Sequence, residues 1–265
     1  MLMVAQRYII DEQNGESYLK DRIRHLIYIT TGSLSFIRII EWQEIFKWLD
    51  PAVSDRILDV ACGGGELSLK IAEKGCEVHG IDLIEDAISM AKRLAEIEAI
   101  SCEFGVGNAE NLPYPSEYFD KVVCSSALEH FSDDLKALRE MHRVLKPNGK
   151  LVLTTDSFTY PVSEELKELH KRIAYVVNYY TRETLKEKLK ISGFMMIRSK
   201  YLLNSRITSF FFRIGIKLNW SGPLWLATSL VAYPLCLTSD KLFGVEDKGF
   251  TLIIEACKPN GVGIT

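Results

Sequence analysis

The strongest constraint on the fold is an alternation of short apolar segments with longer amphipathic ones between Arg56 and Phe158. The apolar segments predict strands, and the segments between them carry apolar residues at helical spacing. Strands that alternate with such helices pair in parallel, with helices on both faces of the sheet. The five predicted strands are RILDV, CEVHGID, SCEFGVG, FDKVVCSS and KLVLTTD. The helix before the last of them is predicted to stop at Pro147 and Gly149.

A glycine-rich loop, ACGGGE, joins the first predicted strand to the first helix. Ligands of open parallel sheets bind beyond the carboxyl ends of the strands, and glycine lets the backbone approach a ligand closely. Asp82 ends the second strand, where a carboxylate can accept hydrogen bonds from both hydroxyls of a ribose. The pattern predicts a nucleoside site. A purely structural turn at the loop and a helix N-cap at Asp82 remain open as alternatives.

Two classes of nucleoside ligand fit this pattern: a dinucleotide, and an adenosyl compound such as S-adenosylmethionine. A dinucleotide places its pyrophosphate at the helix N-terminus. Glu66 would put a negative charge at that position. The sequence therefore favours the ligand that carries no phosphate, and a dinucleotide-dependent oxidoreductase is the less favoured alternative.

Composition disfavours several other classes of function. The 32 basic and 35 acidic residues give a net charge of -3, so no overall positive field attracts nucleic acid. The six cysteines are scattered and have no metal-ligand spacing, which predicts buried thiols in a reducing compartment and no metal site. The N-terminal stretch has no basic lead before its acidic pair, which disfavours a signal peptide and predicts a cytoplasmic location.

Four motifs in order carry a resemblance to a known family: LDVACGGGELS (58–68), GIDLIEDAISMAK, the stretch 107–133, and REMHRVLKPNGKLVLTTD (139–156). With these motifs the sequence resembles the class I S-adenosylmethionine-dependent methyltransferases, in particular the branch that includes the ubiquinone and menaquinone C-methyltransferases. The resemblance implies an α/β fold with a Rossmann-like, seven-stranded, mostly parallel sheet, helices on both faces and a final antiparallel hairpin. The hairpin strands would be FMMIRSKYLL and GFTLIIEAC.

The resemblance also implies S-adenosylmethionine as the cofactor and a set of residues that bind it. The loop residues would surround its methionine portion, Asp82 would bind the ribose, and Leu83 would pack on the adenine beside two residues after the third strand. The expected cofactor-binding residues are Asp59, Ala61, Cys62, Gly63, Gly65, Asp82, Leu83, Asn108, Ala109 and Ser125.

Three members of this set need comment. Ala61 stands where the family most often has glycine. Asn108 stands where it often has aspartate, which removes a charge but keeps an oxygen that can accept a hydrogen bond. Cys62 has no neighbouring histidine or second thiol in the sequence, and we expect its side chain to pack.

Methyl transfer to oxygen or carbon usually requires removal of a proton, so a base is expected near the ends of the fourth and fifth strands. Glu129 and His130 follow the fourth strand, and Asp156 and Tyr160 follow the fifth. His130 is the favoured catalytic base because an unperturbed imidazole titrates near pH 6.5, and Glu129 is the second candidate. A pocket-shaping or a structural role for His130 remains open.

Two appendages surround the predicted core. Residues 1–51 are expected to form an N-terminal helical cap, and residues 52–265 the methyltransferase domain, with a variable cap at 157–181 and a hydrophobic insertion at 204–248. The stretch 218–239 contains no charged residue, but its prolines and polar residues disfavour a membrane span. An acceptor lid, a dimer surface and a helix lying at a membrane interface remain open for the insertion.

The sequence therefore predicts an S-adenosylmethionine-dependent methyltransferase (EC 2.1.1) acting on a small, hydrophobic or lipid-linked acceptor. No nucleic-acid partner is expected, and peripheral membrane contact through 204–240 is left open. The alternative from another class is a catalytically silent cofactor-binding or scaffolding subunit with the same fold.

Overall fold

The computed structural model describes residues 35–219 and 222–260. The strands are β1 (Arg56–Val60), β2 (Glu77–Asp82), β3 (Glu103–Val106), β4 (Phe119–Ser125), β5 (Leu145–Asp156), β6 (Met195–Leu202) and β7 (Thr251–Cys257). The described α-helices are α1 (Phe36–Leu49), α2 (Glu66–Ala72), α3 (Glu85–Glu98), α4 (Asp134–Val144), α5 (Glu164–Ala174), α6 (Arg182–Ile191), α7 (Arg206–Lys217) and α8 (Gly222–Phe243). A short 3-10 helix (Leu128–His130) follows β4.

The strands form one sheet in the order β3-β2-β1-β4-β5-β7-β6. β1 to β5 run parallel, and β7 pairs antiparallel with both β5 and β6. The strand order reverses between β1 and β4, which is the kind of position where ligands bind in open α/β sheets. The predicted Rossmann-like α/β fold with a final antiparallel hairpin is confirmed.

The boundary between α4 and β5 differs from the sequence prediction. α4 ends at Val144 and β5 begins at Leu145, so Pro147 and Gly149 lie inside the strand and do not stop the helix. The register with β4 shifts within this stretch, and Asn148 has a left-handed φ of 61°. The turn-forming residues therefore lie at an irregularity of the strand. Local sequence does not distinguish such an irregularity from a helix end.

Helix α1 and the insertion pack on the same face of the sheet. Phe36 and Ile45 of α1, Phe212 of α7 and Trp225 of α8 belong to one buried apolar cluster with Val152 of β5. The rings of Phe36 and Trp225 lie 5.5 Å apart. The expected N-terminal cap therefore shares a core with the insertion as far as it is described, and its residues 1–34 lie outside the described part of the chain.

Helices α4 and α6 cover the opposite face. Leu138 and Met141 of α4 and Leu185 and Leu189 of α6 are fully buried in a cluster with apolar side chains of β4, β5 and β7. Burial of such side chains is the main favourable term in folding. Of the helices in the described ranges, none combines the length and apolar character that crossing a bilayer requires.

Candidate active site

The loop after β1 turns through three residues with left-handed backbone: Ala61 (φ 59°), Gly63 (φ 56°) and Gly65 (φ 82°). The Gly65 N–H donates to the carbonyl of Cys62 at 3.1 Å, just before α2 begins. A residue with a side chain pays about 1 kcal/mol in this conformation. The structure thus gives a reason why glycine is preferred where Ala61 stands, and why alanine is a tolerable departure.

The two loop glycines have different surroundings. A Cβ at Gly65 would lie 2.8 Å from both Ala91 Cβ and Phe104 Cζ, so glycine is needed there for packing. A Cβ at Gly63 would meet no atom of the described residues within 4 Å. The Gly63 backbone therefore borders open space, as a close approach to a ligand requires.

Asp82 joins this loop to the end of β2. Its Oδ2 accepts a hydrogen bond from the Gly63 N–H and its Oδ1 from the Ile84 N–H, both at 2.9 Å. The N-cap position of α3 is occupied by Ile84, so Asp82 is not the helix cap that the alternative interpretation expected. Each carboxylate oxygen retains acceptor capacity. The next residue, Leu83, leaves 69% of its surface exposed, which offers an apolar face beside the carboxylate.

Asp59 and Glu66 make the interior of the loop acidic. Asp59 is buried, and its Oδ2 accepts a hydrogen bond from the Ser68 hydroxyl at 2.6 Å. Burial raises the pKa of Asp59 to about 7, and the nearby charges of Asp82 and Glu66 add to this effect. Glu66 is the first residue of α2, so a carboxyl group occupies the helix N-terminus where a pyrophosphate would bind.

Cys62 packs as expected. It is buried in a cluster with Leu69, Ile88, Ala91 and Phe104. Burial raises the pKa of its thiol well above the usual value. A protonated, enclosed thiol is a poor nucleophile, so any contact of this residue with a cofactor would come from its backbone.

The remaining predicted cofactor residues lie at the ends of β3 and β4. The Gly107 N–H donates to the carbonyl of Asp82 at 2.9 Å, which brings the segment after β3 beside the acidic residue. Asn108 is exposed, and its Oδ1 accepts the Glu110 N–H at 2.8 Å, while Ala109 is buried. Ser125, at the end of β4, is half-buried and lies 3.5 Å from the Thr154 hydroxyl. The fold therefore gathers these residues at the carboxyl edge of the sheet.

Glu129 is a buried carboxyl group in the 3-10 helix after β4. Its Oε2 accepts a hydrogen bond from the Thr155 hydroxyl at 2.9 Å. Burial raises the pKa of Glu129, and hydrogen bonding and the Arg38 guanidinium oppose that rise. Its carbonyl accepts the Val177 N–H at 2.8 Å, which attaches this turn to the variable cap.

His130 differs from the unperturbed imidazole assumed from sequence. Burial lowers the pKa of His130 to about 4. Its Nδ1 lies 3.2 Å from the carbonyl of Tyr175, which assigns the proton to Nδ1 and leaves Nε2 with a lone pair. Nε2 lies 4.0 Å from Glu129 Oε1. His130 is therefore neutral near pH 7 and a weaker base than an exposed histidine.

Asp156 and the variable cap complete this side of the site. Burial and the neighbouring charges of Glu129 and Glu41 raise the pKa of Asp156 well above its usual value. His170 Nε2 lies 3.8 Å from Asp156 Oδ2, and His170 Nδ1 lies 2.9 Å from the Tyr179 hydroxyl. Tyr160, the other candidate after the fifth strand, packs its ring 5.5 Å from that of Phe250.

The other aromatic and histidine candidates have structural surroundings. Tyr180 is a core residue whose hydroxyl donates to Asp134, whereas Tyr175 is largely exposed. His142 packs edge-on against Phe194 at 5.1 Å.

Glu41 is a buried carboxyl group beside the candidate site that sequence reasoning missed. It lies in the apolar helix α1, is buried, and accepts hydrogen bonds from the Ser126 hydroxyl at 3.1 Å and the Thr251 hydroxyl at 3.0 Å. Arg38 Nη1 lies 3.5 Å from its Oε2. An acidic residue at a helical position flanked by apolar ones, in IIEWQEIF, was the available signal.

No group of three or more side chains suited to a metal ion occurs among residues 35–219 and 222–260.

Residues 58–153, the segment that contains the glycine loop and Asp82, match the family described as a methyltransferase domain. This segment is therefore similar to the class I methyltransferases that the motifs indicated. The demethylmenaquinone methyltransferase of Thermus thermophilus is 40% identical over 125 residues, which are 45% of this chain and 56% of that relative. The ubiquinone biosynthesis O-methyltransferase of Coxiella burnetii is 35% identical over 99 residues, 37% of this chain and 42% of that relative. The chain thus spans about half the length of the curated relatives it matches.

A solved structure extends the likeness beyond the matched segment. Phosphoethanolamine N-methyltransferase 2 of Haemonchus contortus, in complex with phosphomonomethylethanolamine and S-adenosylhomocysteine, superposes with a TM-score of 0.63 at 22% identity. The superposition covers 83% of this chain and 53% of that one. At this identity the likeness shows a shared fold.

Proposed function

We propose that this protein is an S-adenosylmethionine-dependent methyltransferase whose acceptor is a small hydrophobic molecule. The observation that carries the proposal is the Asp82 carboxylate, which is held by the Gly63 N–H at the end of β2 beside the exposed Leu83. This arrangement lies inside the segment that matches the methyltransferase domain.

The residues present fit a nucleoside that carries no phosphate. Asp82 would accept hydrogen bonds from the ribose hydroxyls and Leu83 would pack on the adenine. Asn108 and Ala109 would line the adenine site, and the backbone around Gly63 would face the methionine portion. When bound, S-adenosylmethionine supplies a methyl group already activated by its sulfonium charge. Glu66 at the start of α2 disfavours a dinucleotide because its carboxyl group occupies the pyrophosphate position.

The acceptor side contains groups that can hold a proton. Of the two candidates, Glu129 is the stronger base, because burial raises the pKa of its carboxyl group while burial lowers that of His130. Glu129 would take the acceptor's proton, with the Thr155 hydroxyl holding its other oxygen. The neutral His130 would orient the acceptor through Nε2. The chain's task is then positioning and proton removal, since the methyl donor needs no further activation.

An apolar acceptor is supported by the aromatic cap that follows Asp156. The Phe158 ring, two residues after β5, lies 4.4 Å from the ring of His170 in the cap. The curated relatives named above act on demethylmenaquinone and in ubiquinone biosynthesis. A quinone-type ring with an apolar chain is therefore the acceptor class to test first.

Titration calorimetry with S-adenosylmethionine, S-adenosylhomocysteine and NADH tests the cofactor. Binding of the first two without NADH supports the proposal, and binding of NADH alone would overturn it. Transfer of radiolabelled methyl groups to demethylmenaquinone, with phosphoethanolamine as the polar comparison, then tests the acceptor. Cofactor binding without turnover on any acceptor of a lipid extract would favour the catalytically silent alternative.

A further inference from the structure

The long helix α8 exposes large aliphatic residues and buries mostly small ones. The side chains it buries against the protein are one large aromatic and several small residues: Trp225, Ser229, Ala232, Cys236 and Ser239. The side chains it presents outward are aliphatic: Leu224, Leu230, Val231, Leu235 and Leu242. A surface helix normally shows the opposite arrangement. No described residue covers the outward face of α8, which is therefore an apolar surface within the described part of the chain.

Helix α7, which packs against α8, continues this surface. Phe210 and Ile207 lie on its outward side, with Phe210 60% exposed. Arg206, Arg213 and Lys217 are exposed on the same helix. Together with Phe210 they follow one another at intervals of four, three and four residues, so all four share one side of the helix. Phe210 thus lies among three basic side chains along one stripe.

The charge on this helical pair has one sign. Between residues 206 and 245 the exposed ionic side chains are Arg206, Arg213, Lys217 and Lys241. The only acidic residue in that range, Asp240, points its Oδ1 at the Ser205 N–H and the Thr208 hydroxyl. The next acids along the chain, Glu246 and Asp247, lie beyond the end of α8. An apolar face on two helices whose own exposed charges are all cations complements a surface that is apolar inside and anionic outside.

A cavity opens between this helical pair and the segment that follows β5. It has a volume of about 370 Å³ and is lined by Tyr160, Arg206, Ile207, Ser239, Phe243 and Val245. Tyr160 belongs to the segment that follows β5, close in sequence to Asp156. The cavity therefore lies between the apolar surface and the segment that leaves the end of β5.

We propose that the outward face of α7 and α8 is a docking surface for an anionic lipid bilayer, on which the protein lies without crossing the membrane. The aliphatic residues of α8 and Phe210 would enter the headgroup boundary, while Arg206, Lys217 and Lys241 pair with lipid phosphates. Neither helix is suited to span the bilayer, which fits a helix that lies in the interface plane. The proposal rests on this surface and does not depend on methyl transfer.

The experiment is flotation of the full chain with vesicles of phosphatidylcholine alone and of phosphatidylcholine with phosphatidylglycerol. We expect binding to the anionic vesicles, weakened by added salt because the cations contribute. Replacing Lys217 and Lys241 together by glutamine should weaken binding about fivefold per removed cation. The double variant Leu230→Glu/Leu235→Glu should abolish flotation, because it places carboxylates on the lipid-facing side.

Matched controls lie on other helices. Lys92→Gln/Lys186→Gln removes two exposed lysines from α3 and α6, and Ile97→Glu changes an exposed aliphatic residue of α3. These variants should float like the wild type, and circular dichroism should show all variants folded. Absence of flotation, or equal loss in the control variants, would overturn the proposal. A stable dimer by light scattering that Leu230→Glu/Leu235→Glu converts to monomer would instead assign the surface to a second copy.

Discussion

The Asp82 carboxylate lies 2.9 Å from the backbone nitrogen of Gly63, so the end of β2 holds the glycine loop that follows β1. One side chain thereby fixes the loop and leaves acceptor capacity toward open space. In a parallel sheet these two strand ends are neighbours, although their residues are far apart in sequence.

Asp82→Ala is expected to weaken binding of S-adenosylmethionine by about 10- to 100-fold, because a hydrogen bond to a charged group contributes about 1.5–3 kcal/mol. Titration calorimetry measures the loss. Asp86→Ala, which changes an exposed acid in the first turn of α3, is the matched control and should bind like the wild type. Equal affinity of the Asp82 variant and the wild type would remove Asp82 from the cofactor site.

Substitutions of the two loop glycines should have different effects, one mainly on the stability of the protein and the other mainly on cofactor binding. Gly65→Ala is expected to lower the free energy of unfolding by about 2–4 kcal/mol, from left-handed strain and from overpacking against Ala91 and Phe104. Gly63→Ala should cost only about 1 kcal/mol but weaken cofactor binding, because its Cβ would enter the open space. Urea unfolding and calorimetry test both variants. Normal cofactor affinity of a folded Gly63→Ala protein would contradict the proposed approach of the ligand.

Asp59 should make stability depend on pH. Because burial raises its pKa to about 7, the folded protein retains a proton that the unfolded chain releases from about pH 4 upward. The free energy of unfolding therefore falls as pH rises through this window. Asp59→Asn lacks this titrating group. Its free energy of unfolding, compared with that of the wild type, should therefore increase as pH rises, by up to about 4 kcal/mol above pH 7. Urea unfolding from pH 4 to 8 measures the difference, with Asp86→Asn as the control, and a pH-independent difference would contradict the assignment.

Glu129 should set the acid limb of the pH–rate profile. As a general base it must be ionised, so activity should fall as pH drops through its raised pKa, and Glu129→Gln should lower kcat by about 10²- to 10⁴-fold. Thr155→Val removes a hydrogen bond that lowers this pKa and should move the acid limb to higher pH. The control Thr154→Val removes a hydroxyl that accepts a hydrogen bond from the Ser126 N–H, and it should leave the acid limb at the same pH. A limb that Thr155→Val does not move would exclude Glu129 as the titrating base.

The sequence by itself determined the α/β class, the glycine loop and Asp82 at a strand end, whereas the final antiparallel hairpin was implied by the family resemblance. These features depend on local patterns: apolar periodicity, glycine where the backbone turns left-handed, and an acidic residue directly after an apolar run. The start of β5 was misjudged because Pro147 and Gly149 form the same local pattern at a strand irregularity as at a helix end.

The tertiary structure alone decided which distant residues share the site and what their charges are. Glu41 reaches Ser126 and Thr251 only because α1 packs across the sheet, and no local pattern records that contact. His130 looked like a group that titrates near pH 6.5, but burial beneath the cap lowers its pKa to about 4 and leaves Glu129 as the better base. The desolvation that shifts the pKa of His130 and Glu129 depends on all the atoms around each group, and segments distant in the sequence supply those atoms.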